Sequence, residues 1–187
     1  MALQLTTSTQ KVIRTTALAP ASGDYTAVFW AKLTAVPTGY VNLLTFINVG
    51  YTAWQGIFTA GGGASTIVLD MDNGGAGATT TAVQIFDGKW HAIAWTRSGT
   101  TNALYVDGLL INSQVLNMAA VTWSQMIIGD DGSSENNFEL FALREYTSAL
   151  TLTQLIAEWN SVTPVLASYS NYTFASNTND TSGMVTT

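Results

Sequence analysis

The chain has 187 residues, of which 47% are hydrophobic and only 10% are Asp, Glu, Lys or Arg, and its formal net charge is −6. Its six Lys and Arg residues are scattered along the sequence. The sequence therefore offers no basic patch that could bind nucleic acid or an anionic membrane surface. The absence of cysteine excludes a disulfide framework and a thiolate metal site.

The first two-thirds of the chain reads as short strands. Segments with alternating polarity occupy residues 3–18, and "YTAVFWAKL" (Tyr25–Leu33) is rich in aromatic and β-branched residues. Both faces of this strand are apolar, so we expect it to be covered on both sides or to line a groove with one face. Further strands are expected in "YVNLLTFINVG", "WQGIFTAGGG" and "STIVLDMDNGGAGATTTAVQIF", the last interrupted by a Gly-rich loop.

Turns and strands then alternate from residue 87 to residue 111. Asp87-Gly88 and residues 98–100 are predicted turns, and Asp107-Gly108 predicts a type I′ hairpin because glycine tolerates positive φ. Trp90, Ile93 and Trp95 are expected to fill the interior of the sheet structure. Two more strands are expected in "WSQMIIG" and "FELFALREY".

One short helix is predicted near the end of the chain. Thr151 is followed three residues later by Gln154, which is the spacing of a capping box. Four apolar residues at helical spacing predict the face that packs on a sheet: Leu152, Leu155, Ile156 and Trp159. Residues 164–187 are rich in Ser, Thr and Asn and are expected to form an edge strand or an arm that docks on a neighbouring subunit. The expected division is therefore a domain over 1–163 and a tail over 164–187.

These elements predict an all-β fold, a two-sheet antiparallel sandwich. The chain also resembles the laminin G-like, concanavalin A-like jelly roll over roughly residues 3–160. The resemblance rests on "YTAVFWAKL", the motif Asp87–His91, the hairpin Leu104–Gly108, the pair Ile128-Gly129 and the segment Ser148–Leu155. It implies a jelly-roll sandwich with one short C-terminal helix, a fold that serves lectins, glycosidases, receptor modules and viral surface proteins.

Catalysis is not expected from this sequence. A retaining glycosidase needs two carboxylates about 5–5.5 Å apart, and jelly-roll glycosidases supply them as Glu-x-Asp-x-Glu on one strand. Asp70-Met71-Asp72 is flanked by Val68 and Gly74, so the pattern fails. His91 could act as a base, but we interpret it as a structural histidine that is hydrogen-bonded to a neighbouring strand or loop.

Calcium is the candidate cofactor, since several relatives of the resembled family hold this ion at a loop rim. Calcium prefers about six to eight oxygen ligands. Two loop segments offer carboxylates, "DMDNGG" with Asp70 and Asp72 and "GDDGSSEN" with Asp130 and Asp131. The alternative is that these residues only make tight turns before glycine.

Four aromatic residues close to predicted turns are candidates for stacking against a sugar ring. They are Tyr40, Tyr51, Trp54 and Trp123. Tyrosine and tryptophan combine a flat apolar body with a polar group, which suits both a sugar face and its hydroxyls. The alternative for each residue is ordinary packing inside the fold.

The sequence thus favours a non-catalytic surface-display protein, most simply a phage virion protein that decorates the capsid or belongs to the tail, with glycan adhesion. Its expected location is the virion exterior, and its expected partners are further copies of itself or capsid and tail proteins. The start "MALQLTTSTQ" lacks a secretory signal pattern, which a virion protein released by lysis would share. The alternatives are a carbohydrate-binding module from an exported bacterial protein, at an extracellular or cell-surface location, and a glycoside hydrolase.

Overall fold

The computed structural model describes residues 2–5, 10–16, 22–35, 41–59, 67–72, 79–81, 85–115, 122–130, 138–162 and 185–186, with backbone alone at 67–72, 79–81, 130 and 185–186. Within these residues the elements are β1 Leu3–Leu5, β2 Lys11–Arg14, β3 Tyr25–Leu33, β4 Val41–Asn48, β5 Trp54–Thr59, β6 Ile67–Asp72, β7 Thr79–Thr81, β8 Trp90–Ser98, β9 Thr101–Val106, β10 Leu109–Val115, β11 Trp123–Asp130, β12 Phe138–Tyr146, α1 Leu152–Ser161 and β13 Val185–Thr186.

The strands form two antiparallel sheets. The six-stranded sheet has the order β1-β12-β3-β8-β9-β10, and the seven-stranded sheet has the order β13-β2-β11-β4-β5-β6-β7. Several neighbours are far apart in sequence, such as β12 beside β3 and β11 beside β4, which is the non-local pairing of a jelly roll. The predicted all-β sandwich with one short helix is confirmed.

The main core lies between the two sheets, because alternate residues of each strand point inward. It includes Phe29, Phe46, Ile57, Leu104 and Met126. On β8 the inward residues include Ile93 and Trp95, as predicted.

The prediction for Trp90 is wrong. Trp90 has the same parity as Ala92 and Ala94, which pack against α1 on the outer face of the six-stranded sheet. Its ring contacts Phe141, with 6.2 Å between ring centroids. The reason is the two-residue period of the strand, which puts Trp90 and Trp95 on opposite faces.

The helix α1 explains why β3 is apolar on both faces. Val28 of β3 and Ala94 of β8 pack against Leu155 and Trp159 of α1 in a second apolar cluster. The indole Nε1 of Trp159 also donates a hydrogen bond to the carbonyl of Ile93 at 3.3 Å. The helix therefore covers the second face of β3, and the alternative of a groove on that face does not apply where α1 lies.

The predicted start of α1 is confirmed, but only half of its predicted buried face is. The Thr151 hydroxyl accepts the Gln154 N–H, and the Gln154 side-chain oxygen accepts the Thr151 N–H at 2.8 Å, so the capping box is formed. Leu155 and Trp159 are buried, whereas Leu152 and Ile156 are 38% and 41% exposed. The helix touches the sheet along a narrower stripe than the apolar spacing predicts.

The hairpin between β9 and β10 has the predicted turn. Asp107 has φ +51° and Gly108 has φ +79°, and positive φ at both central positions is the signature of a type I′ turn. The Asp107 carboxylate accepts the N–H of Ala92 at 2.9 Å, and the Asp107 N–H donates to the Ala92 carbonyl at 2.8 Å. The turn is therefore anchored to β8.

Buried polar groups join the two sheets at one end of the core. Arg97 of β8 is fully buried, and its guanidinium donates to the Gln55 side-chain oxygen of β5 at 2.9 Å and to the Gly23 carbonyl at 2.6 Å. Close by, Glu145 of β12 forms an ion pair with Arg14 of β2. Each of these two arginines thus connects one sheet to the other.

The predicted tail lies almost entirely outside the described residues. The exception is β13, Val185–Thr186, which pairs with β2 at one edge of the seven-stranded sheet. The division into residues 1–163 and 164–187 therefore stays a prediction. No helix in the described part of the chain is long and apolar enough to cross a membrane.

Candidate functional site

The turn between β4 and β5 displays Tyr51 at one end of the seven-stranded sheet. The Asn48 side chain holds the turn, since its Oδ1 accepts the N–H groups of Thr52 and Ala53 at 2.9 Å. Tyr51 adopts φ +56°, a left-handed conformation that is uncommon outside glycine, and the residue is 64% exposed. A fixed backbone thus presents an exposed aromatic ring.

Tyr51 is connected to a row of side chains on the outer face of the same sheet. Strand pairing places Gln125 of β11 beside Ile47 of β4, and Ile47 beside Trp54 of β5. Their neighbour Phe46 belongs to the core, so alternation directs this row outward. The Gln125 Nε2 donates to the Tyr51 hydroxyl at 3.3 Å. We call Tyr51, Trp54 and Gln125 the aromatic rim.

The accessible part of this outer face is the rim and not its centre. Further along the face Thr45, Phe58 and Ile127 are all buried. Trp54 and Gln125 are half-buried, and Tyr51 is the most exposed of the three rim residues. A ligand that approaches this face therefore meets the rim first.

The chemistry of the rim suits a neutral ligand with one flat apolar face and several hydroxyls. The rings of Tyr51 and Trp54 offer apolar surface for stacking. The Tyr51 hydroxyl and the Gln125 amide each donate and accept hydrogen bonds. None of the three side chains carries a charge, so a charged ligand gains no ion pair from them.

The structure brings together two of the four aromatic residues that the sequence suggested. Tyr51 and Trp54 both belong to the rim. Trp123 is only 7% exposed and lies in the main core, so its ring is closed to a ligand and the stacking role proposed for it is corrected. Tyr40 lies outside the described residues.

Gln125 is the rim residue that sequence reasoning missed. The alternation in its segment "WSQMIIG" indicates that Gln125 faces outward. Met126 and Ile128 lie on one face of the strand, and Gln125 lies on the opposite face. A polar residue on the outward parity of an otherwise apolar strand marks a face with a polar contact. The signal does not identify that contact, because the pairing of Gln125 with Tyr51 spans 74 positions of sequence.

The acidic residues suggested for calcium are placed differently from the expectation. Asp70 and Asp72 lie within β6, and Asp130 ends β11, so these three positions are in strands and not in loops. Asp131 lies outside the described residues. Among the described residues, no group of three or more His, Cys, Asp or Glu side chains could hold a metal ion.

The two acidic segments also lie at opposite ends of the sheet. The backbone of Asp72 is beside Trp54, which pairs with Ile47 near the end of β4. The backbone of Asp130 is beside Val41 at the start of β4. Six residues separate these positions along β4, or about 20 Å at about 3.3 Å per residue. The two segments therefore do not contribute to one calcium site, and only the Asp72 end is next to the rim.

His91 is hydrogen-bonded to two turns at one end of the six-stranded sheet, the turn at Asp87 and the turn at Asp107. Its Nδ1 is 2.7 Å from the Asp107 carboxylate and its Nε2 is 3.0 Å from the Asp87 carboxylate. Burial lowers the pKa of His91, but the hydrogen bonds to Asp107 and Asp87 outweigh burial and raise the pKa above 6.5. The hydrogen bond from His91, with help from the Lys89 N–H, lowers the pKa of Asp87 to about 2. Both ring nitrogens of His91 are thus engaged in structural contacts.

The described glutamates are engaged with cations. Glu139 pairs with Lys32, Glu145 with Arg14, and Glu158 with Arg144. Retaining glycosidases instead hold two carboxylates about 5–5.5 Å apart across the scissile bond. In the described part of the chain these ion pairs connect strands or connect β12 to α1, which is a structural role.

The family model of the concanavalin A-like lectin/glucanases superfamily matches residues 6–155 of the chain. No curated protein matches the chain. Among solved structures, the chain is similar to the binding domain of Paraclostridial Mosquitocidal Protein 1, with a TM-score of 0.68 and 17% identity over 86% of this chain and 43% of that chain.

Two further solved structures share the fold. Mouse laminin α1 domains LG4-5 give a TM-score of 0.64 and 12% identity, over 81% of this chain and 43% of that chain. Trypanosoma rangeli sialidase in complex with sialic acid gives a TM-score of 0.64 and 16% identity, over 83% of this chain and 27% of that chain. The chain spans less than half the length of all three, and identities this low show a common fold alone.

Proposed function

Because the chain belongs to the concanavalin A-like lectin/glucanases superfamily, we propose that it is a non-catalytic binding domain that holds a neutral glycan at the aromatic rim. The observation that carries this proposal is the exposed Tyr51 ring, whose hydroxyl accepts a hydrogen bond from Gln125. Trp54 belongs to the same outward row as Gln125 across β5, β4 and β11. Two structures that share the fold, a binding domain and a sialidase solved with sialic acid, are compatible with a carbohydrate as the ligand class. That the glycan is neutral follows only from the uncharged side chains of the rim.

The test is glycan-array binding of the full chain and of a Tyr51→Asn variant. Asparagine tolerates positive φ, so the turn is kept while the ring is removed. We expect Tyr51→Asn to weaken binding about tenfold, since loss of one stacked ring with its buried area costs about 1.4 kcal/mol. Tyr51→Phe keeps the ring and should lose less.

Leu152→Asn on α1 is the matched control, because Leu152 is another exposed apolar residue, remote in sequence from the rim. It should bind like the wild type, and both variants should keep the wild-type melting temperature within a few degrees. Absence of binding by the wild-type chain, or equal binding by Tyr51→Asn, would contradict the proposal. Repeating the array with a chelator tests calcium, and abolished binding would support a cation near the Asp72 end of the sheet.

For its location we propose the exterior of a virion, as a capsid-decoration or tail-associated protein that adheres to glycans. The support is a chain with only 10% charged residues and no cysteine, which leaves a surface with few charged groups. A carbohydrate-binding module of an exported bacterial protein is the second candidate, favoured by the fold and by the exposed Tyr51 at a turn. Proteomics of purified virions against bacterial surface fractions separates the two locations.

A further inference from the structure

Three aromatic side chains lie together on the outer face of the six-stranded sheet, next to the area that α1 covers. Trp30 of β3, Trp90 of β8 and Phe141 of β12 are all half-buried. Phe29 and Leu140, the residues before Trp30 and Phe141, belong to the main core, so alternation directs these two rings outward. The Trp90 ring, on the same face, extends across β3 to contact Phe141 on β12. We call Trp30, Trp90 and Phe141 the outer platform.

An ion pair borders the outer platform. The Lys32 Nζ donates to the Glu139 carboxylate at 2.7 Å, and the two side chains are 27% and 20% exposed. Strand pairing places Lys32 between Glu139 and Trp90, in the row next to that of Trp30 and Phe141. The two charges cancel, but the ammonium has further N–H groups and the carboxylate has further lone pairs. The pair can therefore still hydrogen-bond a ligand that has both donors and acceptors.

A strained bulge lies beside the platform. Between Phe141 and Arg144, β12 has one residue more than the β3 segment opposite it, and within this bulge Ala142 adopts φ +55°. A positive φ is unfavourable for a residue with a Cβ. The extra residue changes which face the following residues occupy, so that Phe141 joins the platform while Arg144, on the same face, reaches Glu158 of α1. Bulges and strained backbone of this kind are frequent next to functional sites.

From these contacts we propose that the outer platform binds a neutral sugar, at a second site that is independent of the aromatic rim. The three rings offer flat apolar surface on which a sugar face can stack, and the Lys32–Glu139 pair supplies charge-assisted hydrogen bonds to its hydroxyl groups. A charged ligand that is attracted by one member of this pair is repelled by the other. A purely apolar partner would bury both charges without hydrogen-bonding them, which is unfavourable. A neutral ligand rich in hydroxyls avoids both costs.

The outer platform and the aromatic rim lie on opposite faces of the sandwich and toward opposite ends. The rim is on the seven-stranded sheet and the platform is on the six-stranded sheet. Arg97 of β8 contacts Gln55, which follows the rim residue Trp54. Trp90 is seven residues before Arg97 along β8, or about 23 Å at about 3.3 Å per residue. The two sites are therefore separate, and one chain can hold two glycans at once.

The test is binding of an array of neutral oligosaccharides by the full chain with its rim disabled by Tyr51→Asn. Glycans held by the platform should still bind this variant. Adding Trp90→Thr should weaken their binding about tenfold, as expected for the loss of one stacked ring. Adding Trp90→Phe instead keeps a ring and should retain most of the affinity. Adding Glu139→Gln keeps all three rings and should weaken binding several-fold, because the charge that strengthens the hydrogen bonds is lost.

Tyr105→Thr, added to Tyr51→Asn, is the matched control. Tyr105 is a half-buried aromatic residue on the same face of the sheet, beside Ala94 and so four positions along β8 from Trp90. This double variant should bind like Tyr51→Asn alone.

Three outcomes would overturn the platform and leave the proposal for the rim standing. The first is that Tyr51→Asn binds no neutral oligosaccharide although the wild type does. The second is that Trp90→Thr has no effect on binding, or no more effect than Tyr105→Thr. The third is a smaller mass in light scattering for Trp90→Thr than for the wild type, since the platform would then be a contact between copies of the chain.

A sandwich assay tests whether both sites bind at once. The wild-type chain is captured on an immobilised glycan whose binding requires Tyr51, and a soluble labelled glycan whose binding requires Trp90 is then added. The wild type should recruit the soluble glycan, whereas Trp90→Thr should be captured equally well and recruit none. If the captured wild type fails to recruit the soluble glycan, the platform is not independent of the rim.

Discussion

His91 is the residue whose contacts respond most directly to pH. The hairpin turn at Asp107 is anchored to Ala92 by two hydrogen bonds that do not depend on the histidine. His91 adds contacts to both Asp107 and Asp87, and these contacts are strongest when the imidazole is charged and the carboxylates are ionised. The stability that these contacts add therefore depends on two titrations. His91 loses its proton as the pH rises, and Asp87 gains one as the pH falls.

The directions of the two pKa shifts define a window of pH. The pKa of His91 is raised above 6.5, so its contribution is complete below about pH 6.5 and is lost as pH rises through the folded-state value. The pKa of Asp87 falls from 3.8 to about 2, so its contribution is present above pH 3.8 and is lost as pH falls toward 2. The cluster stabilises the fold most between about pH 4 and 6.5.

We predict that His91→Gln destabilises the protein by about 1 kcal/mol near pH 5 and by less at pH 8.5. Glutamine fills similar space but carries no charge at any pH. The measurement is calorimetric melting of both chains from pH 4.5 to 9. A difference in melting temperature that is constant over this range would show that the histidine contributes packing and not charge.

At the scale of the element, α1 acts as a cover for the outer face of the six-stranded sheet. Leu155 and Trp159 bury Val28, Ala92 and Ala94, which would otherwise face water. The helix has only ten residues and is too short to be stable alone. Its stability therefore comes from this packing, with the capping box at Thr151 fixing where it begins.

We predict that Trp159→Ala lowers the free energy of unfolding by about 3–5 kcal/mol, because it opens a cavity over β3 and β8. Ile156→Ala on the same helix should cost less than about 1 kcal/mol, since Ile156 is 41% exposed. Urea unfolding of both variants measures the difference. Equal costs would mean that the helix is held mainly by its cap and its ion pair to β12.

At the scale of the whole molecule, the two sheets are joined by polar contacts as well as by apolar packing. Arg97 of one sheet donates to Gln55 of the other inside the core, and burial lowers the pKa of Arg97. Burying a cation destabilises the fold unless its N–H donors are hydrogen-bonded. Removing either Arg97 or Gln55 therefore leaves a buried polar group of the other without its partner, which lowers stability. The arginine thereby restricts how the two sheets can be positioned.

We predict strong coupling between Arg97 and Gln55 in a double-mutant cycle. Arg97→Met should cost about 3 kcal/mol, because it leaves the Gln55 oxygen and the Gly23 carbonyl without this donor. The double variant Arg97→Met/Gln55→Met should cost at least about 1 kcal/mol less than the sum of the single variants. Additive costs in denaturant unfolding would show that the two side chains act independently.

The sequence by itself determined the local elements and, through them, the fold class. The strands, the type I′ turn at Asp107-Gly108 and the capping box at Thr151 each depend on a pattern of a few consecutive residues. A two-residue period, a glycine with positive φ and a Thr-x-x-Gln spacing each act over one turn or one strand. The order of these elements was enough to indicate the sandwich.

The tertiary structure alone decided which side chains are exposed and which of them meet. Trp123 and Trp54 both stand at the first residue of a strand, yet the first is in the core and the second is in the rim. Burial depends on which strands become neighbours, and the pairs β11–β4 and β12–β3 join distant segments. The contact of Gln125 with Tyr51 has the same origin, since only the pairing of β11 with β4 brings these two residues together.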